Sequence, residues 1–231
     1  MGPLTPSKRT FLKMAALALV MLVSGCITIE EHYTFRKNGG GTMEYVMDMS
    51  ALGAMMDALD QGGKARKKGK GEQEPMATGM EEHAKALRQL QGIKHVKLKL
   101  EKDGFVQRIS FSFADLAALN SALNVLMPDS TGPPHAFFRW EGSTLVRTSN
   151  RYASALGKDM SGGADSTNLS GMLQSMRYKF SFNFPRKVEQ ADVAQGFTRA
   201  SPSPRKLELA TDWSVIMKDT TALDLRITLG K

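Results

Sequence analysis

The chain has 231 residues, of which 42% are hydrophobic and 7% aromatic, and it carries a formal net charge of +8. This composition excludes disorder throughout, and the length suits one large domain or two small ones. The positive balance suits contact with anionic phospholipid headgroups or acidic polymers, but it is too weak and too dispersed to predict a nucleic-acid partner.

The first 25 residues have the pattern of a secretory signal peptide. Lys8, Arg9 and Lys13 precede an apolar stretch at residues 14–23, and small residues follow in Val23-Ser24-Gly25-Cys26. A basic start, a short apolar segment and a small-residue cleavage site are typical of such leaders. The apolar stretch has about half of the roughly 20 residues that a membrane-spanning helix needs. We therefore predict a signal peptide at residues 1–25, cleaved between Gly25 and Cys26.

Val23-Ser24-Gly25-Cys26 resembles the lipobox of bacterial lipoproteins. The resemblance implies that Cys26 carries a covalent diacylglycerol and an N-acyl chain such as palmitate. Cys26 is the only cysteine, so no disulfide is expected. Two or three acyl chains exceed what stable membrane attachment requires. Position 27 is Ile, whereas an Asp there would resemble the inner-membrane retention signal of such lipoproteins. This favours the outer membrane, facing the periplasm, in an organism with two membranes. Residues 7–13 resemble a twin-arginine motif with Lys8 in place of the first arginine, which leaves the export route open.

Alternating apolar residues predict a first strand at residues 27–35, in which Glu31 alone interrupts the apolar face. A hairpin turn is expected at Asn38-Gly39-Gly40-Gly41, with a returning strand through Met49 and a short helix capped by Ser50. The lysine- and glycine-rich residues 61–74 lack apolar periodicity and predict a mobile loop.

Pro75 can open a second helix, which Gly92 stops. Two strands follow around the turn at Asp103-Gly104, and Asp115 can cap a third helix that ends at Pro128. Strands are predicted around Phe138 and at residues 178–184, with further strands near the end of the chain. Residues 152–167 are expected to form a loop, followed by one short helix.

Strands and helices in separate runs predict an α+β fold. We expect antiparallel β-sheets built from hairpins, with three or four helices packed on one side. Residues 26–231 are expected to form a single extracytoplasmic domain.

Two further patterns resemble the domains of LppM-type bacterial lipoproteins. They are Asn38-Gly39-Gly40-Gly41-Thr42 after the first strand, and Phe184-Pro185-Arg186-Lys187-Val188 followed later by Trp213. The resemblance covers about a third of the chain after Cys26. It implies a similar fold and suggests binding of amphipathic lipids. The long basic loop and the helix after it depart from that family.

An unusual number of methionines lies between residues 43 and 80. Three interpretations stay open: apolar core packing, an adaptable groove for an acyl chain or a partner helix, and Cu(I) binding by thioethers. The candidate groove consists of Met43, Tyr45, Met47, Met49, Met55 and Met56.

The predicted basic loop contains Lys64, Arg66, Lys67, Lys68 and Lys70. It is either a solvated linker or a contact to anionic lipid or cell-wall polymer, where each basic residue near the surface contributes about 1 kcal/mol.

Catalytic motifs are missing from the sequence. Gly-x-Ser-x-Gly, the Walker-type phosphate loop and the dinucleotide fingerprint are absent. His32, His83, His95 and His135 have no metal-ligand spacing. We therefore predict a non-enzymatic envelope protein without a metal or cofactor, whose partner is a lipid, an amphipathic ligand or an envelope protein. A structural subunit of a larger envelope complex and a methionine-rich copper-binding protein are the alternatives.

Overall fold

The computed structural model describes residues 27–51, 53–54, 75–129, 132–161, 171 and 173–230. The predicted signal peptide, Cys26, Met55, Met56 and the basic residues between positions 64 and 70 lie outside these ranges.

The described strands, in chain order, are β1 Thr28–Phe35, β2 Gly41–Asp48, β3 Ile93–Glu101, β4 Val106–Phe113, β5 Phe138–Glu141, β6 Thr144–Arg147, β7 Arg177–Asn183, β8 Val188–Val193, β9 Thr198–Ser203, β10 Lys206–Asp212 and β11 Leu225–Leu229.

The strands form two sheets. The large sheet has seven strands in the order β3-β4-β2-β1-β7-β10-β9, and the small sheet has four in the order β5-β6-β11-β8. Four helices have both ends within the described residues: α1 Pro75–Leu87, α2 Leu116–Leu126, α3 Tyr152–Ser161 and α4 Trp213–Ile216. Helical residues also occur at 50–51, 53–54, 171 and 173–175. The predicted α+β class is confirmed.

One strand pairing differs from the antiparallel expectation. β1 and β7 run parallel, with Thr28 beside Arg177 and Thr34 beside Asn183, so the large sheet is mixed. A hairpin can pair its strands only in the antiparallel direction, whereas a parallel pair needs a long crossover. Alternation within a strand shows which residues are buried but not which distant strand lies beside it.

Helix α3 corrects the predicted loop at residues 152–167 over the part that the structure describes. Ala153 is buried, and Gly157 lies so close to Trp213 and Met217 that a Cβ there would stand 2.6 Å from the Met217 sulfur. The sequence of α3 is small and polar and by itself favours a loop. Packing against the α4 region therefore stabilises the helix, and such a tertiary contact cannot be seen in the local sequence pattern.

The glycine-rich turn is confirmed as a hairpin turn, and its glycines are needed. Gly39 has φ +85°, a conformation that glycine adopts without strain. A Cβ on Gly40 would stand 2.7 Å from the Ala114 carbonyl oxygen, and one on Gly41 would stand 2.1 Å from the Thr34 carbonyl oxygen. The β1–β2 turn is thereby held tightly against the end of β4.

The core lies on one face of the large sheet. Alternate residues of β1, β2, β4, β7 and β10 point inward and pack against α1, α2 and the small sheet. Asp115 caps α2 as predicted, since its carboxylate accepts a hydrogen bond from the Ala118 amide at 2.8 Å. The opposite face of β1 presents polar residues such as Glu30, His32 and Thr34.

Candidate functional site

Glu31 is the residue of β1 that interrupts the apolar face, and the structure places it inside the protein. Its side chain is fully buried (0% exposed), and Arg147 on β6 of the small sheet is 1% exposed. A buried charge is costly unless it is paired and hydrogen-bonded. The two residues are 116 positions apart in the chain.

Glu31 and Arg147 form an ion pair between the two sheets. The Arg147 Nη2 donates to Glu31 Oε1 at 3.0 Å and to Oε2 at 3.3 Å, and its Nη1 donates to the Leu223 carbonyl at 3.0 Å. The hydroxyls of Tyr33 and Tyr178 both donate to the Glu31 carboxylate. We name Glu31, Tyr33, Arg147 and Tyr178 the buried polar cluster.

Aromatic side chains enclose the cluster. The Arg147 guanidinium lies 4.6 Å from the centre of the Phe180 ring, which adds a cation–π contact. Burial, and then the charge of Glu31, raise the pKa values of Tyr33 and Tyr178 well above their usual value. Burial alone would lower the pKa of Arg147, but Glu31 raises it above its usual value. The tyrosines therefore stay neutral hydrogen-bond donors and Arg147 stays charged.

Tyr45 extends this polar region along the sheet, because β2 places it directly beside Glu31 of β1. It is only 1% exposed, and its hydroxyl has no hydrogen-bond partner among the described residues. Burial first, and then the nearby Tyr152 and Tyr178, raise the pKa of Tyr45 well above its usual value. A hydrogen-bonding contact with the Tyr152 hydroxyl also contributes to this shift, although the two hydroxyls do not meet ordinary hydrogen-bond geometry.

Buried polar atoms without partners are rare, and each costs about 1–3 kcal/mol. Two further such atoms in the described ranges are Arg147 Nε and Trp213 Nε1. Trp213 packs against Tyr178, with their ring centres 6.0 Å apart. The interior around the cluster therefore contains more hydrogen-bonding capacity than the described side chains use.

The described members of the candidate groove lie next to this region. Met43 and Tyr45 are buried in the core, Met47 packs against it, and Met49 is 5% exposed. These four residues share β2 and its end. Met55 and Met56 lie outside the described residues, so the groove as a whole stays a prediction.

The start of β1 lies at one end of the large sheet, which we name the β1-start end. The Ile27 carbonyl accepts a hydrogen bond from the Arg177 amide at 2.8 Å, so the sheet begins one residue after Cys26. Asp48 at the end of β2 is paired with Thr28. The chain leaves the described structure toward residues 55–74 from this same end.

The outer face of β1 has its own charged group. His32 Nε2 lies 2.9 Å from Glu30 Oε2, and Lys179 Nζ lies 3.1 Å from Glu30 Oε1. The hydrogen bond with His32, followed by the contacts of Lys179 and opposed by burial, lowers the pKa of Glu30 from 4.5 to about 2.

This lowered pKa predicts a loss of stability in acid. A carboxylate with a lowered pKa in the folded state stabilises the protein above its unfolded pKa, and the contribution disappears as the pH falls from about 4.5 to about 2. Urea unfolding of the parent and Glu30→Gln, from pH 6 to pH 2, should show the parent more stable at pH 6 and the two equal at pH 2. An equal gap at both ends of this range would contradict the prediction.

The described residues show neither a metal cluster nor a membrane-crossing helix. Within the described ranges, no group of three or more His, Cys, Asp or Glu residues could hold a metal ion. Among the helices of those same ranges, none is both long enough and apolar enough to cross a membrane. His32 is half-buried on the polar face of β1, and His95 is exposed on β3.

Comparison with known proteins gives one structural similarity. No protein-family model matches the chain, and no curated protein matches it in sequence. It is similar to the NMR structure of the folded domain of Mycobacterium tuberculosis LppM, at 13% identity and a TM-score of 0.47, over 89% of this chain and 90% of that chain. Similarity at this level carries no conclusion about activity. The function of this chain therefore has to be inferred from its own residues.

Arg147 is the site residue that sequence patterns missed, whereas Tyr45 was predicted as part of the candidate groove without any indication that its hydroxyl is buried and unpaired. The available signal was Glu31, a single carboxylate on an otherwise apolar strand face, which implies a buried cationic partner. Nothing local to residue 147 identifies it as that partner.

Proposed function

We propose that the chain is a non-catalytic envelope lipoprotein, anchored through Cys26, whose α+β domain binds an amphipathic ligand beside Tyr45. The anchoring is supported by the basic leader, the short apolar stretch and the lipobox-like tetrapeptide. The ligand is supported by one observation, the buried hydroxyl of Tyr45 that has no partner among the described residues.

The position of Ile27 supports close contact with the bilayer. Because the sheet begins immediately after residue 26, an anchored domain has almost no tether and lies with its β1-start end at the membrane surface. The segment with Lys64, Arg66, Lys67, Lys68 and Lys70 connects to the domain at this end. In this proposal it supplies positive charge to anionic headgroups within the short range of such interactions.

The surroundings of Tyr45 suggest the chemistry of the ligand. Met43 and Met47 on the same strand offer an adaptable apolar wall, and Glu31 is already neutralised by Arg147. A charged head would therefore be buried without a counter-ion. The proposed ligand has an apolar body and an uncharged acceptor, such as an ester carbonyl, to which Tyr45 donates.

Tyr45→Phe is expected to have opposite effects on stability and binding. Removing an unpaired buried hydroxyl should raise the free energy of unfolding of the ligand-free protein by about 1–3 kcal/mol. The same change should lower the amount of amphiphile that co-purifies with the full chain, as measured by native mass spectrometry and lipid extraction.

Tyr178→Phe is the matched control. Its hydroxyl already donates to the Glu31 carboxylate, so its loss should lower the free energy of unfolding by about 1.5–3 kcal/mol. If Tyr45→Phe destabilises the protein as Tyr178→Phe does, or retains as much amphiphile as the parent, the proposed site is wrong.

The burial of Met43, Tyr45 and Met49 also favours a second function. Because these side chains fill the core, contacts with another protein would be made by the outer surface of the domain, as in a subunit docked on a larger envelope complex. One stoichiometric protein that co-purifies with the chain, in the absence of any retained amphiphile, would select this alternative.

A further inference from the structure

The two ends of the large sheet differ in how many of their cations are paired with carboxylates. Opposite the β1-start end, the chain reverses at the β1–β2 turn, the β7–β8 loop and the β9–β10 turn, and α1 leads into β3. We name this the turn end. It presents the exposed basic residues Arg36, Lys37, Arg88, Lys94, Arg186, Lys187 and Arg205.

Most of these cations have no acidic partner among the residues that the structure describes. Lys187 lies 3.8 Å from Glu189, but no described carboxylate is within ion-pair distance of the other six. At the β1-start end, Lys99 and Arg177 are paired with Glu101 and Asp212, and Lys102 there is an exposed cation without a described ion-pair partner. Exposed cations clustered without carboxylates raise the local concentration of anions.

A groove of about 300 Å³ lies within the turn end. Arg36, Lys94 and His95 line it together with Asn38, Gly40, Gly92, Ser112, Phe113 and Ala114. Among the described residues, the lining contains cationic, amide, hydroxyl and aromatic groups but no carboxylate. Its volume suits a small anionic group and is too small for an acyl chain.

A β-bulge places His95 between this groove and a neighbouring one that Glu44 also lines. Lys94 pairs with Ser112 and Lys97 with Ser110, so β3 has one extra residue at this point, and His95 adopts φ +57°. A positive φ is uncommon for residues other than glycine, and bulges commonly redirect side chains at functional sites. The His95 ring nitrogen Nδ1 lies 3.4 Å from the Ser112 hydroxyl.

We propose that this groove binds a phosphate-type oxyanion carried by a soluble molecule. Arg36 offers a planar fork of donors, Lys94 a compact charge, and His95 and Ser112 additional donors at the bulge. The eight residues of β1 separate the groove from residue 27 by about 26 Å. This exceeds the electrostatic screening length of about 8 Å at physiological salt, so headgroups of the anchoring bilayer do not reach it.

The choice of a soluble ligand rests on the proposed anchoring at Cys26, whereas the oxyanion site itself does not. The direct test is equilibrium dialysis of the full chain, in neutral detergent and low salt, against radiolabelled inorganic phosphate and pyrophosphate. We expect saturable binding of one anion per chain. Arg36→Gln/Lys94→Gln should weaken it at least tenfold, because both cations that flank the groove are lost.

A matched variant controls for total charge. Lys102→Gln/Lys218→Gln removes two exposed cations outside the turn end and should bind like the parent. Circular dichroism verifies that the parent and both double variants are folded. If Arg36→Gln/Lys94→Gln is not folded, Lys94→Gln alone serves as the milder variant. Absence of saturable binding, or equal weakening in both double variants, would overturn the site.

A vesicle experiment distinguishes the source of the oxyanion. With Cys26→Ser in every chain, flotation with phosphatidylglycerol vesicles should be the same with and without Arg36→Gln/Lys94→Gln. If that pair abolishes vesicle binding while inorganic phosphate does not bind, the ligand is a headgroup and the soluble assignment is wrong. Failure of anchoring at Cys26 would leave the dialysis result unchanged.

Discussion

Arg147→Met is expected to lower the free energy of unfolding by about 3–5 kcal/mol, because it leaves the carboxylate of Glu31 buried without a counter-charge. The Tyr33 and Tyr178 hydroxyls would still donate to Glu31, but two neutral donors do not replace a guanidinium. Equilibrium unfolding in urea, followed by far-ultraviolet circular dichroism and by the fluorescence of buried Trp213, measures the change.

Two further variants separate the ion pair from general effects of substitution. Glu31→Leu combined with Arg147→Met removes both charges and should recover most of the loss, since apolar replacement of a complete buried pair is often neutral. Lys179→Met breaks the more exposed contact with Glu30 and should cost no more than about 1 kcal/mol. A loss below about 1 kcal/mol for Arg147→Met would show that the cluster does not hold the two sheets together.

Cys26→Ser is expected to move the protein from the membrane fraction to the soluble fraction. Each buried methylene contributes about 0.8 kcal/mol, so two or three acyl chains supply nearly all of the attachment, and serine offers no thiol for alkylation. Cell fractionation and intact-mass analysis check this result. The parent should have a mass that starts at residue 26 with acyl groups, whereas a bare thiol or an attached leader would contradict the proposal.

The basic segment provides the control for this experiment. With Cys26 intact, glutamine at Lys64, Arg66, Lys67, Lys68 and Lys70 should leave the protein in the membrane fraction. In the Cys26→Ser chain, the same glutamines should abolish residual flotation with anionic liposomes, because about 1 kcal/mol per cation is then the main attraction. Equal flotation of the two Cys26→Ser proteins would show that the segment is a solvated linker.

Local features of the fold could be predicted because they depend on neighbours in the chain. The strand at residues 27–35 follows from its alternation, the hairpin from Asn38 and its glycines, and the start of α2 from Asp115 as a cap. These signals act over two to four residues and need no tertiary context. Helix α3 was missed because contacts with Trp213 and Met217 stabilise it, while its own residues favour a loop.

The candidate site shows the same division between local and distant contacts. The alternation of β1 places Glu31 on the buried face and so implies that a partner exists. The identity of that partner, Arg147, depends on how the small sheet packs on the large one.

Long-range arrangement likewise brings Arg36 and Lys94 to one groove and sets β1 parallel to β7. Periodicity, caps and turn residues are properties of short segments and can be read along the chain. Contacts between segments more than a hundred residues apart depend on which folded arrangement buries the most apolar surface while every buried charge stays paired, and the whole chain sets that balance.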